Sequence, residues 1–354
     1  MSIRKAAAIL PIVAIVLGAC SGPGASASGT ASCKVGVAWA TFQEERYGLR
    51  DEPGIKSALE GKAEYIGNDA KNTNETQAAN VEALIAANVD VLVLNSVDPE
   101  AILPSAQKAV DAGIPLIAYD RELENAAALF MTHDNVEVGR MIARAVTEAQ
   151  PTGNYAIIKG QQGETNPEFL RSGMEEILAP FLASGDITIP EGAEVYTDNW
   201  QAEVANVSMT QILTDNDNDI QALLSENDNM ATGAVAAIAA QGLEGEIKIG
   251  GQDGDKAALN RVALGTQVVS VWKDATELGV KAGEAALQLC ADPDVSKVTG
   301  AVASKSTGGL DAHSVLLAPI PITQENLQVV LDAEWLTEAE LCDGVPAGSV
   351  TGCP

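Results

Sequence analysis

Short apolar runs that stop abruptly at polar residues recur along the whole chain. The clearest is Gly113-Ile114-Pro115-Leu116-Ile117-Ala118-Tyr119, which ends at Asp120 and Arg121. Its apolar residues do not alternate with polar ones, which suits a strand buried on both faces of a parallel sheet. Asp120 and Arg121 then emerge at the carboxyl end of that strand, where open α/β sheets bind ligands. A plain loop start would leave the same pair in solvent. Strands of this kind are expected at 34–40, 63–66, 89–94, 114–119 and 129–132. The pattern restarts at 154–159, 193–196, 220–224, 246–249 and 267–272. Helical patterns fill the intervals, at 48–61, 74–88, 99–112 and 137–150, then at 169–182, 201–213, 230–241, 256–264 and 276–290. Asp98 before Pro99 is a good helix start, an N-cap followed by a proline at the first helical position. A strand at 315–322 and a helix at 324–336 close the pattern.

Alternating strands and helices mean parallel sheets with right-handed crossovers. The pattern runs through twice, so the expected fold class is α/β: two doubly wound parallel-sheet lobes joined by a hinge. Pro151-Thr152-Gly153 is the credible boundary. The first lobe is expected at 33–150 plus 269–310, the second at 151–268 plus 311–341, with a tail at 342–354. The interval 291–312 has no clear pattern and is the place for a crossing between lobes.

Composition narrows the class. The chain has 354 residues, 46% hydrophobic but only 4% aromatic, which suits an aliphatic α/β protein with two real cores. The net charge of −28 gives a surface that repels nucleic acid. The amino terminus reads as a targeting signal, residues 1–19. Arg4 and Lys5 precede an apolar segment, Ala6 to Leu17, too short to span a bilayer comfortably. Leu17-Gly18-Ala19-Cys20 resembles a bacterial lipobox, which would make Cys20 the lipid-modified end of the mature chain. Residues 20–32 are rich in Gly, Ser and Ala and read as a flexible tether. The expected body is therefore extracytoplasmic and membrane-anchored through Cys20. An exported chain permits disulfides. Cys342 and Cys353 lie close in sequence and are the first pairing to expect, leaving Cys33 with Cys290; unpaired thiols are the alternative. No CxxC is present and the histidines are His133 and His313, so no metal is expected.

Enzyme motifs are missing from the strand tips. The first tip, Phe42-Gln43-Glu44-Glu45, is acidic and lacks glycine, which would repel a pyrophosphate. There is no GxxxxGK[ST] and no GxSxG, and His133 has no convincing nucleophile partner. No catalysis and no cofactor are expected; a sugar-active enzyme using a glycosidase-like Asp/Glu pair is the alternative. The tips collect Arg46, Asn95, Asp120, Arg121, Asn135, Asn166, Trp200, Asn227, Asp228, Asp253 and Lys273. Amides, carboxylates and bases can grip both the lone pairs and the proton of a sugar hydroxyl. An indole can cover the C–H face of a sugar ring. Together the tips fit a neutral polyhydroxyl ligand better than a phosphate.

The segments Glu45-Arg46, Ala118-Tyr119-Asp120-Arg121, Gly153-Asn154-Tyr155, Asn227-Asp228, Gln241-Gly242-Leu243, Gly251-Gln252-Asp253 and Gly265-Thr266-Gln267 resemble the periplasmic sugar-binding proteins of ABC transporters. The resemblance covers about 34–341 and is nearest to the branch that binds xylose. It implies the fold of type I periplasmic binding proteins and a monomer that delivers a monosaccharide to a membrane permease. It implies sugar contacts from Arg46, Asp120, Arg121 and Lys273 of the first lobe. Asn166, Trp200, Asn227 and Asp253 of the second lobe would face them. Two departures lie near the expected pocket. Tyr47 replaces a tryptophan of the xylose pattern, and Glu164-Thr165-Asn166-Pro167 differs from its acidic-amide run, so glucose, galactose and arabinose stay open. Service to a chemoreceptor or sensor kinase is a further alternative.

Overall fold

The structure, a computed structural model, describes residues 33–44 and 46–353. The signal segment, the tether and Cys20 lie outside the described residues. Among those described, no helix is long and apolar enough to cross a membrane.

The first sheet is built from β1 (Cys33–Trp39), β2 (Ala63–Asp69), β3 (Val91–Leu94), β4 (Leu116–Tyr119) and β5 (Ala128–His133). The second begins with β6 (Gly153–Lys159), β7 (Ile187–Thr188), β8 (Glu194–Tyr196), β9 (Ala222–Ser225), β10 (Lys248–Gln252) and β11 (Val269–Trp272). Then come β12 (Val302–Lys305), β13 (Asp311–Leu317) and β14 (Ile320–Ile322). The helices between them are α1 (Glu52–Leu59), α2 (Asn74–Ala86), α3 (Leu103–Asp111), α4 (Asn135–Ala149), α5 (Thr165–Ser184) and α6 (Ala202–Asp215). They continue as α7 (Asp228–Ala240), α8 (Lys256–Leu264), α9 (Ala275–Ala291), α10 (Gln328–Asp332) and α11 (Glu338–Leu341).

The first sheet has the order β12-β13-β5-β4-β3-β1-β2, parallel except for the β12–β13 pair. The second runs β14-β11-β10-β9-β6-β7, with β8 also on β6 and β14 antiparallel. Both are doubly wound α/β sheets. In each, strand order reverses beside the strand that opens the lobe, β1 or β6. That reversal leaves a crevice at the carboxyl ends of the strands. Apolar clusters cover both faces of the first sheet, one holding Ile55, Leu59 and Leu278, the other Val81, Leu84 and Ala106.

The lobe limits read from the sequence move at every crossing. The helix at 135–149, assigned to the first lobe, packs on α5 and on β10 of the second. The strand at 269–272, also assigned to the first lobe, pairs with β10 in the second sheet. Conversely, 311–317 pairs with β5 in the first sheet. The expected strand at 315–322 is in fact two, broken at Ala318-Pro319, where the chain crosses. The tail at 342–353 is part of the second lobe: Cys342, Val345, Val350 and Cys353 pack with Leu259, Trp272 and Leu341. Disulfides join Cys342 to Cys353, with Cα atoms 5.5 Å apart, and Cys33 to Cys290, at 6.1 Å.

Local differences have local causes. The Asp98 carboxylate accepts from the backbone N–H of Glu100 and Ala101, both at 2.9 Å, yet regular helix starts only at Leu103. The expected helix at 324–336 shrinks to Gln328–Asp332, because Thr323 and Asn326 close a turn before it. The helices α4 and α5 approach through a glycine each. A Cβ on Gly139 would run into the Leu170 carbonyl, and one on Gly173 into that of Val136.

Candidate functional site

The turn after β1 carries Glu44, Arg46 and Tyr47 into the crevice. Tyr47–Asp51 winds as a single π-helical turn on top of α1. Arg46 is held there by two hydrogen bonds to the Asp51 carboxylate, Nε at 3.2 Å and Nη2 at 2.9 Å. Asp51 is fully buried and also accepts from the Tyr119 hydroxyl. An edge-to-face contact between Trp39 and Tyr119, centroids 5.6 Å apart, backs this floor.

Asp120 follows β4 with φ of 64°, a left-handed backbone that Asp tolerates better than most residues. Its Oδ2 accepts from the Tyr47 hydroxyl at 2.7 Å. Its Oδ1 lies 3.4 Å from Arg46 Nη1 but has no hydrogen-bond partner. Burial pushes the Asp120 carboxyl up. Arg46, then Lys273, Tyr47 and Arg121, outweigh burial and hold it below the usual range. Arg121 turns the other way. Its Nη1 donates to the Ser96 carbonyl at 2.8 Å and pairs with Glu164 of the second lobe at 3.2 Å.

The second lobe supplies the opposite wall. Glu164 and Asn166 follow β6 at the start of α5. Asn166 donates to the Asp120 carbonyl at 3.1 Å, a direct bridge between lobes, and accepts from Asn135 at 3.1 Å. Trp200 sits in a left-handed turn, donates its indole N–H to Glu164 at 3.0 Å and packs against Gly160, where no Cβ would fit. Asn227 follows β9, but its side-chain oxygen caps α7 by accepting from Met230 N–H at 2.8 Å. Asp253 follows β10, with Oδ1 at 3.4 Å from Lys273 and 3.8 Å from Arg46. Lys273 follows β11 and so belongs to the second sheet rather than the first lobe expected for it.

All eight residues singled out in the sequence, Arg46, Asp120, Arg121, Asn166, Trp200, Asn227, Asp253 and Lys273, line one cavity between the lobes. Glu44, Tyr47, Glu164 and Gln252 complete its wall. It encloses about 380 Å³ between atoms, part of it open to solvent. The room it leaves for a water-sized sphere is only about 40 Å³, well below the roughly 300–1,000 Å³ of small-molecule sites. A hydrogen bond of 2.7 Å between Asn72 and Asn199 closes the cleft farther out.

The other tips are spent on structure. Asn95 ties the Ala40 N–H to the Tyr119 carbonyl. Asp228 accepts from Gln267 at 2.9 Å and from the N–H of Gly254 and Asp255. His133 is buried, and burial with Lys273 and Arg46 holds its imidazole neutral. Among the described residues no group of His, Cys, Asp and Glu could hold a metal ion.

Glu44 makes one pH dependence testable. Burial, then Asp253, push its carboxyl from 4.5 to about 7, against Arg121 and Arg46. A raised value means the folded protein holds the proton more tightly than the unfolded chain. The stabilisation is complete below 4.5 and is lost as pH rises to about 7. Melting temperatures measured across that window should fall less for Glu44→Gln than for the wild type. Parallel curves for the two proteins would contradict the assignment.

Comparison with known proteins agrees with this architecture. The family described as periplasmic binding protein domain matches residues 35–293. The D-xylose-binding periplasmic protein of Escherichia coli K12 is 32% identical over 310 residues, 87% of this chain and 92% of that one. The protein of the same description from Haemophilus influenzae is 31% identical, over 83% and 87%. A crystal structure of an ABC transporter solute-binding protein from Clostridium phytofermentans, with bound β-D-glucose, superposes with a TM-score of 0.78. It is 24% identical and covers 87% of this chain and 99% of its own. With two doubly wound lobes and a family match across most of its length, the chain belongs to the periplasmic binding protein family.

Proposed function

We propose that this chain is the substrate-binding component of an ABC sugar importer, lipid-anchored outside the cytoplasm through Cys20. It would take a monosaccharide, D-xylose first, between its lobes and present it to a membrane permease without chemical change. The observation that carries this reading is a set of three buried oxygens in the cavity wall. Asp120 Oδ1, Asp253 Oδ1 and Gln252 Oε1 have no hydrogen-bond donor. Buried acceptors without donors are costly. Sugar hydroxyls supply donors, and their lone pairs accept in turn from Arg46 and Lys273. The Trp200 indole offers an apolar wall for a ring face. Among the described residues no group could hold a metal ion, and two relatives above 30% identity bear the name of D-xylose-binding periplasmic proteins.

Thermal shift with D-xylose, D-glucose, D-galactose, L-arabinose and D-ribose tests the reading. D-xylose is expected to raise the melting temperature most. At a hundredfold excess over Kd the gain is about 2.7 kcal/mol. A larger shift with glucose would reassign the sugar. No shift with any of the five would overturn the ligand class.

A further inference from the structure

Outside the cavity, one side chain of the first lobe reaches across to the second. Arg50 lies in the same π-helical turn as Tyr47 and Asp51. Its Nη2 donates to the Trp335 carbonyl. Its guanidinium also stacks over the Trp335 indole, 4.4 Å from the ring centroid. Trp335 belongs to the apolar cluster that the C-terminal tail completes, with Trp272, Leu341 and Cys353.

Trp335 is tied in turn to the strand tips of the site. Its indole N–H donates to the Gly254 carbonyl at 2.6 Å, next to Asp253. Its ring meets Trp272 edge-on, at 5.4 Å and 70°, next to Lys273. Gly254 has φ of 74°, and a Cβ there would strike the Trp272 ring, so this corner has one packing. Arg50 therefore bonds to the element that fixes Asp253 and Lys273. Its own turn fixes Arg46 through Asp51. The contact exists only while the lobes are together, because Arg50 and Trp335 come from different lobes.

We propose that Arg50 is a positioning residue that latches the two lobes through Trp335 and thereby sets how long the ligand stays bound. The inference rests on the sugar-binding reading above. It touches no ligand atom, since neither Arg50 nor Trp335 lines the inner cavity. A contact made after encounter acts on departure rather than on arrival. A stacked guanidinium that also donates a charged hydrogen bond is enough to change dissociation by roughly tenfold.

The test compares wild type, Arg50→Ala and Arg50→Lys as full mature chains. Stopped-flow measurement with D-xylose gives the two rates, melting of the ligand-free proteins gives stability, and small-angle scattering gives lobe closure. Arg50→Ala should raise koff about tenfold while kon and the ligand-free melting temperature stay as in the wild type. Arg50→Lys should recover part of the loss. An unchanged koff in a wild type that binds sugar would sink the latch alone. So would a lower ligand-free melting temperature with both rates altered, which marks Arg50 as fold support. If the wild type binds no sugar, scattering decides. Expansion of the ligand-free Arg50→Ala protein keeps the latch and removes the sugar reading; no expansion removes both.

Discussion

Asp120→Asn is expected to weaken sugar binding by about 2–4 kcal/mol, roughly thirtyfold to a thousandfold, while the protein stays folded. Asparagine keeps the volume and tolerates the left-handed backbone at this position, so the change isolates the charge. The lost charge faces Arg46 at 3.4 Å and takes the Tyr47 hydroxyl at 2.7 Å. At this buried position each of those partners is left with a poorer acceptor. The free oxygen of Asp120 also becomes, in half of the amide orientations, a donor facing cations. Alanine at the same site would add backbone strain of about 1–3 kcal/mol, so its effect on stability would blur the reading. Calorimetric titration of the asparagine variant with D-xylose checks the prediction. An affinity within threefold of wild type would show that Asp120 holds the first lobe together without gripping the ligand.

The second large effect concerns stability. Gly139→Ala should destabilise the protein by about 3 kcal/mol. The methyl would meet the Leu170 carbonyl, a backbone atom fixed inside α5, and not a side chain that can swing away. The α4 and α5 helices must separate to admit it, and Gly173 against Val136 repeats the constraint a turn farther along. Fully buried Val138, Ile142, Leu170 and Met174 would lose contact together. Denaturant unfolding followed by circular dichroism measures this, and a midpoint equal to that of the wild type would show that the helices can slide at no cost.

The sequence made the elements legible because each strand is a short apolar run with a polar tip. It made the cavity legible for the same reason: residues at those tips had to converge at the carboxyl ends of two sheets. Which sheet a strand joins is another matter. The Val269–Trp272 run is equally apolar in either lobe, and only its pairing with β10 decides. The break at Ala318-Pro319 was visible as a proline, yet nothing local marks it as a crossing. Asn227 illustrates a different limit. An Asn before a helix reads as a polar tip and as a cap, and its oxygen serves the cap. Glu44 and Glu164 are legible as acids at strand tips, but that Glu164 pairs with Arg121 follows only from the meeting of the two lobes. Gln252 stands inside the Gly251-Gln252-Asp253 segment, and only the fold brings it into the cavity wall beside its charged neighbour.

The bond between Cys33 and Cys290 has a mechanical side. Any pull on the chain upstream enters the body at Cys33, the first residue of β1. Without the cross-link that load would fall on β1 alone and would peel it from its neighbours one hydrogen bond at a time. With it, the load is shared with the carboxyl end of α9, which packs along α1. Both load-bearing elements belong to the same lobe. A load applied at Cys33 would therefore be carried by that lobe as one piece, upstream of the three crossings between lobes.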